Sequence, residues 1–472
     1  MADFEVAEAT IASIHAAYRS RELSAAELVD AYLARIERHD PTLNSIVTLN
    51  EQARSHAERL DQEPDGALHG IPVLLKDNIN TSDLPTSYGS VAMRGYQPRE
   101  DATVARRLRE AGAIILGKTT LPDWATSWFS YSSLTNETRN PYDTNRDPGG
   151  SSSGTGAAIA ASFATVGLGT DCGGSVRVPA SFCNLVGVRS TPGVVPRTGT
   201  SYLVIPQDTV GPMARTVADA HRVFSVIAGY DPADPYSVAA TISRPAAEPT
   251  GDELTGARIG LVTNAIGDDP GVRELIANAA ADLERAGAVV EEVELPDLFD
   301  HIVATSMYTD RSKHDLDQFL SELPDPPIPN LRAAYESGQY DKRLDLMDAI
   351  MDGPDDPDSD PDYLARFAAR HQFTLVVTNV MATFDALAYP SVQVPPPTLE
   401  GRADWTTLTL PTNTLIASQT WLPAITVPAG LTAENAPVGL ELVGRPYDEA
   451  TLFRLAYGFE AAAHHRTPPP LA

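Results

Sequence analysis

"GGSSSGTGAAIAASFATVGLGTDCGGSVRVP", residues 149–179, reads as four pieces in a row. A glycine- and serine-rich loop comes first. The pattern predicts a helix of small residues from about Gly156, then a strand ending near Thr170, then a tight turn that closes on Ser175. Alanine and glycine in both helix and strand let the two backbones pack closely. In the turn, the successive N–H groups of Cys172, Gly173, Gly174 and Ser175 can point at one oxygen, and such donors stabilise a developing oxyanion. The same residues would also serve as a plain turn between sheet and helix. A serine that attacks needs a proton acceptor, usually histidine. No histidine lies between His69 and His221.

The loop itself admits other readings. Glycine-rich loops cradle phosphate, but this one lacks the GK[ST] ending of a P-loop. G-S-S-S-G (150–154) matches the G-x-S-x-G elbow formally, which would make Ser152 the nucleophile. That elbow needs a buried strand before it, and the preceding "NPYDTNRDP" is a loop. It also needs a later histidine, and the candidates His464 and His465 sit in a polar tail.

Lysine is the scarce residue. The chain has only Lys76, Lys118, Lys313 and Lys342. Lys76 ends the apolar run "IPVLL" (71–75), where an ordinary lysine would simply reach for water. Arginine stays charged, whereas a buried lysine loses its proton, so a retained lysine here suits a general base with a pKa near 7–8. Lys118, in "LGKTTLP", has a similar setting, and scarcity alone does not choose between them.

The wider pattern is α/β, with a large sheet between helices. Residues 7–62 read as helices, and Ser24 and Glu27 form a capping box for one of them. "GIPVLLKDNI" (70–79) is a buried strand, and residues 102–119 a helix, a glycine stop at Gly112 and a strand. Residues 257–293 form a strand–helix–strand unit, which favours parallel pairing. The stretch 296–405 is richer in Pro and Asp and reads as a variable, substrate-side region. Further strands follow, and a last helix covers about 448–463. We read 1–472 as a single domain, with N-terminal helices over 1–65 and a core segment over 66–230.

Composition narrows the function. The formal net charge is −28, and the basic residues are mostly arginine. Such a surface fits a protein kept soluble in high salt, and it opposes binding to nucleic-acid phosphates. Two cysteines, Cys172 and Cys183, form no disulfide framework. The acidic N-terminus lacks a signal peptide's basic region, and no apolar run is long enough to span a bilayer, so a cytoplasmic location is expected. The ten histidines are scattered and the cysteines lack zinc spacing, so neither a catalytic metal nor another cofactor is expected.

Six segments together resemble the amidase signature family. They are "GIPVLLKDNI", "LGKTTLPDWA", "RNPYDTNRDPGGSSSGTGAAIAA", "GLGTDCGGSVRVPASFCNLVGVRSTPG", "DTVGPMARTVADA" and "PVGLELVGRPYDEATLFRLA", in family order over about residues 70–460. The resemblance implies a large mixed sheet sandwiched between helices. It implies a Ser–cisSer–Lys triad, with Ser175 as nucleophile, Ser151 as the bridging serine after a cis peptide, and Lys76 as the base. It implies an oxyanion hole at Cys172, Gly173 and Gly174, with Ser152, Asp171 and Arg177 in support and Asp171 paired with Arg177. Where the family loop reads GGSSGG, this chain has Ser153, whose side chain either narrows the loop or adds a hydrogen bond.

The implied activity is hydrolysis of a small-molecule carboxylic amide, and homodimers are common in the family. A second implied role is the glutaminase component of a tRNA-dependent amidotransferase, where an acid upstream of the "PAITVPAG" strand holds glutamine's α-amino group. Residues 405–423, "WTTLTLPTNTLIASQTWLP", contain no acid. A non-catalytic protein on the same scaffold would not need the intact triad.

Overall fold

The computed structural model describes residues 4–61, 66–243 and 253–471. Its first long helix, Ala25–Leu43, starts where the capping box predicts: the Ser24 hydroxyl accepts the Glu27 N–H at 3.2 Å, and the Glu27 carboxylate accepts the Ser24 N–H at 2.8 Å. Residues 7–62 are not wholly helical, however. After Asn44 stops the helix in the left-handed region (φ 54°), the short β-branched run Ile46–Leu49 becomes a strand, because it can pair with the exposed edge of Ile114–Thr119.

Eleven strands form one mixed sheet: β1 Ile46–Leu49, β2 Pro72–Lys76, β3 Ile114–Thr119, β4 Val166–Asp171, β5 Val186–Arg189, β6 Thr209–Ala214, β7 Arg258–Val262, β8 Val289–Val293, β9 Ala386–Pro390, β10 Ala424–Leu431 and β11 Pro437–Val443. Their spatial order is β1-β3-β2-β4-β6-β5-β10-β11-β9-β7-β8. β2 runs parallel to β3 and β4, and β7 runs parallel to β8 and β9. The pairs from β4 through β6, β5, β10 and β11 to β9 are antiparallel. The expected parallel unit at 257–293 is therefore present, and β9 enters the sheet from within 296–405.

Two features of this sheet place the site. Because β2 and β4 are parallel and Leu75 pairs with Leu168, both strands deliver their polar carboxyl ends, Lys76 and Thr170–Asp171, to one edge. Across them lies the helix Ser153–Ala160, every residue of which is buried. Its approach requires glycine in β4: a Cβ on Gly169 would sit 2.5 Å from the Ser152 hydroxyl. On the open side, the helices Tyr308–Glu322, Leu331–Glu336 and Asp345–Met351 share an apolar cluster with Tyr88, Trp124, Trp128, Phe129 and Cys172. Cys172, the residue after the end of β4, is the member of this cluster next to the strand ends.

Among the described residues, no helix is long and apolar enough to cross a membrane.

Candidate active site

Lys76 is completely buried at the end of β2. Its ammonium donates to Ser151 Oγ at 2.6 Å and to Thr170 Oγ1 at 2.8 Å, and Asn78 Nδ2 holds the same threonine hydroxyl at 3.0 Å. No carboxylate lies within ion-pairing distance among the described residues. Burial therefore dominates and pulls the amine down to about 7, while the more distant charges of Asp208 and Asp171 oppose the shift.

Lys118 has the other fate. It is equally buried, but it pairs with Asp77 at 3.2 Å and donates to the Ile79 carbonyl at 2.7 Å and Thr86 Oγ1 at 2.8 Å. Burial pulls this amine down as well, with the Asp77 carboxylate opposing the shift, so the two lysines differ in a partner that the sequence does not reveal.

Ser151 follows a cis peptide from Gly150. The backbone N–H of Ser152 donates to the Ser175 carbonyl at 3.1 Å, which ties the loop to the 171–175 turn. Lys76 and Ser151 are thus joined side chain to side chain. Ser175 is tied to the loop through the N–H of Ser152, the residue after Ser151, and no bond between the Ser151 and Ser175 hydroxyls is present among the described residues. The Ser152 hydroxyl points to the Thr170 carbonyl at 3.4 Å, and His465 engages Asp282 at 2.6 Å. The elbow reading, which needs Ser152 beside a histidine, finds no support in this arrangement. Ser153 Oγ is buried with no hydrogen-bond partner among the described residues, so its departure from the family loop adds no bond.

The turn 171–175 is held from several sides. Asp171 accepts from the N–H groups of Gly174 (2.9 Å) and Val176 (3.1 Å). It pairs with Arg177 and with Arg189, each at 3.0 Å. These two guanidiniums overcome the cost of burial and hold the carboxyl well below the usual range. Arg177 is fully buried, reaches onward to Glu441 on β11, and donates to Ser418 Oγ at 2.8 Å. The Gly174 N–H, one of the three expected oxyanion donors, is thus bonded to Asp171. The N–H groups of Cys172, Gly173 and Ser175 bear no hydrogen bond among the described residues.

Other groups at the site carry no sequence signal of their own. Tyr308, from the start of the 308–322 helix, lies against Gly173, where a Cβ would come within 1.8 Å of the tyrosine hydroxyl. Thr414 donates to the Gly173 carbonyl at 2.6 Å. Gln207 donates to the Cys172 carbonyl at 2.7 Å. Arg370, 1% exposed, bonds to Gln207 Oε1 and to the Thr305 carbonyl, and its Nη1 has no hydrogen-bond partner among the described residues.

A model of the Amidase family matches residues 27–453. The chain belongs to the amidase signature family. The A-type component of the glutamyl-tRNA(Gln) amidotransferase of Carboxydothermus hydrogenoformans is 34% identical over 488 aligned residues, covering 96% of this chain and 97% of that protein. Among solved structures, the peptide amidase of Stenotrophomonas maltophilia superposes with a TM-score of 0.86 at 33% identity, covering 98% of each chain. The A-type component of the Thermotoga maritima glutamyl-tRNA(Gln) amidotransferase superposes with a TM-score of 0.81 at 27% identity over the whole of both chains. The mixed sheet between helices is the amidase signature fold, and the relatives are enzymes of carbon–nitrogen bonds.

Proposed function

We propose that this amidase signature protein hydrolyses a linear carboxylic amide through an acyl-enzyme on Ser175. The observation that carries the reading is Lys76: a buried amine with no carboxylate partner among the described residues, pulled to about 7 and hydrogen-bonded to Ser151 at 2.6 Å. Neutral Lys76 takes the Ser151 proton as Ser151 takes that of Ser175, and Ser175 Oγ attacks the amide carbon. The carbonyl oxygen becomes an oxyanion held by the free N–H groups of the 172–175 turn. The proton returns along the same path to the leaving nitrogen, the C–N bond breaks, and water repeats the sequence to release the acid. The region 296–405 borders the turn through Tyr308 and shapes the substrate side.

Two observations favour a second reading, in which the chain is the glutaminase component of an amidotransferase. One is the 34% identity to the A-type component of such an enzyme. The other is Arg370, a buried cation that bonds to Gln207 beside the turn and whose Nη1 has no hydrogen-bond partner among the described residues. Against it stands the absence of an acid in 405–423.

The test is hydrolysis of an amide panel, including glutamine and C-terminal peptide amides, in high salt beside Ser175→Ala. Activity confined to wild type, rising with pH through about 7, is expected. Hydrolysis surviving in Ser175→Ala would refute the mechanism. Glutamine as the single accepted amide would favour the amidotransferase reading.

A further inference from the structure

We infer that Gln207 is a positioning residue for the oxyanion: it holds the Cys172–Gly173 peptide so that the Gly173 N–H faces the reacting carbonyl. The inference rests on the Ser175 reading above. In a trans peptide the C=O and the following N–H point in opposite directions. Fixing one carbonyl therefore aims the next residue's N–H. Gln207 Nε2 donates to the Cys172 carbonyl at 2.7 Å, and that carbonyl belongs to the same peptide as the Gly173 N–H. Gln207 is itself 1% exposed, and its backbone carbonyl is held by Arg189 at 2.7 Å.

The orientation of its carboxamide is decided by Arg370. Guanidinium has donors and no acceptor, so the group facing it must be the amide oxygen. Arg370 Nη2 meets Oε1, which leaves Nε2 to face the Cys172 carbonyl. Neighbouring peptides are clamped differently. Arg189 holds the Asp171 carbonyl at 2.6 Å, and Thr414 holds that of Gly173 at 2.6 Å. The N–H paired with the Gly173 carbonyl is that of Gly174, already bound to Asp171. Of the side chains that clamp this turn, Gln207 is the one whose peptide presents the free N–H of a glycine, the residue least able to hold its own orientation.

The probe is an alkyl fluorophosphonate, whose phosphoryl oxygen occupies the same hole when Ser175 attacks phosphorus and fluoride leaves. Inactivation is followed on the full chain at pH 9, above the titration of Lys76, to separate reversible binding (KI) from the chemical step (kinact). Gln207→Leu removes the donor. Gln207→Glu keeps the partner of Arg370 and turns an oxygen toward the carbonyl. Both are expected to lower kinact by about 10- to 100-fold, somewhat less than deletion of an oxyanion donor, with KI within about threefold of wild type. A residue that only stabilised the fold would lower the melting temperature and disturb KI along with kinact. If Gln207→Leu does not fold, Gln207→Glu decides. Equal kinact in wild type and a folded variant overturns the inference and leaves the Ser175 reading standing. Failure of wild type to be labelled at Ser175 overturns both.

Discussion

Replacing Lys76 by methionine isolates the cost of burying its amine. The side chain is fully buried, and burial pulls its amine down from the ordinary 10.5 to about 7. A shift of that size corresponds to roughly 5 kcal/mol against the charged form. Because the folded pKa lies below the unfolded one, the unfolded chain holds the extra proton between about pH 7 and 10.5. Wild-type stability therefore rises with pH through that window, and the full penalty is felt below it. Methionine has no proton to lose, so the variant should show none of this rise. Between pH 6 and pH 9, the stability advantage of Lys76→Met over wild type should shrink by about 3 kcal/mol, two pH units at 1.36 kcal/mol each. The substitution also strips a partner from Ser151 Oγ and Thr170 Oγ1, which costs about 1–3 kcal/mol but does not vary with pH. Denaturant unfolding of both proteins at the two pH values reads the difference directly. Parallel stability curves would refute the claim that Lys76 is held as a desolvated, unpaired amine. Amide hydrolysis by the variant should be lost at both pH values.

Lys118→Met should behave in the opposite sense. It leaves the Asp77 carboxylate buried without its cation, a loss of about 3–5 kcal/mol in denaturant unfolding. The pH midpoint of the folded enzyme's activity should stay near 7, since Lys76 is untouched. Asp171→Asn should also destabilise by about 3–5 kcal/mol, because buried Arg189 loses its charge partner and Arg177 is left with Glu441 alone. Its slower hydrolysis should accompany a lower unfolding midpoint, and an unchanged midpoint would contradict the structural role given to that network. With a formal charge of −28, the chain should melt at higher temperature as KCl rises from about 0.1 to about 2 M, by screening of self-repulsion. A flat or falling melting temperature would sink the high-salt reading.

Much of this protein is written locally. The small-residue stretch 149–179 dictates a loop, a helix and a strand because only Gly and Ala let those backbones approach, and the structure needs that closeness at Gly169. The Ser24–Glu27 cap and the strand at 72–76 follow from short-range chemistry in the same way. The triad candidates were legible through the family's motif blocks, each carried by a continuous segment. The strand 46–49 was not, because its pairing partner lies some 70 residues on, at β3, and the run alone is too short to signal a strand. Lys76 and Lys118 look alike in sequence. They part only when folding sets Asp77 beside one and two hydroxyls beside the other. Thr170 and Gln207 stand beside or within motif blocks, while Tyr308, Arg370 and Thr414 come from distant segments outside those blocks. Their roles rest on side-chain directions across the sheet, which no local pattern encodes. What the chain's own order of residues determined was which strands and turns exist and which hydroxyls and amines they offer. The packing decided which amine is left unpaired and which N–H groups remain free, because burial and charge pairing are properties of neighbours brought together in space.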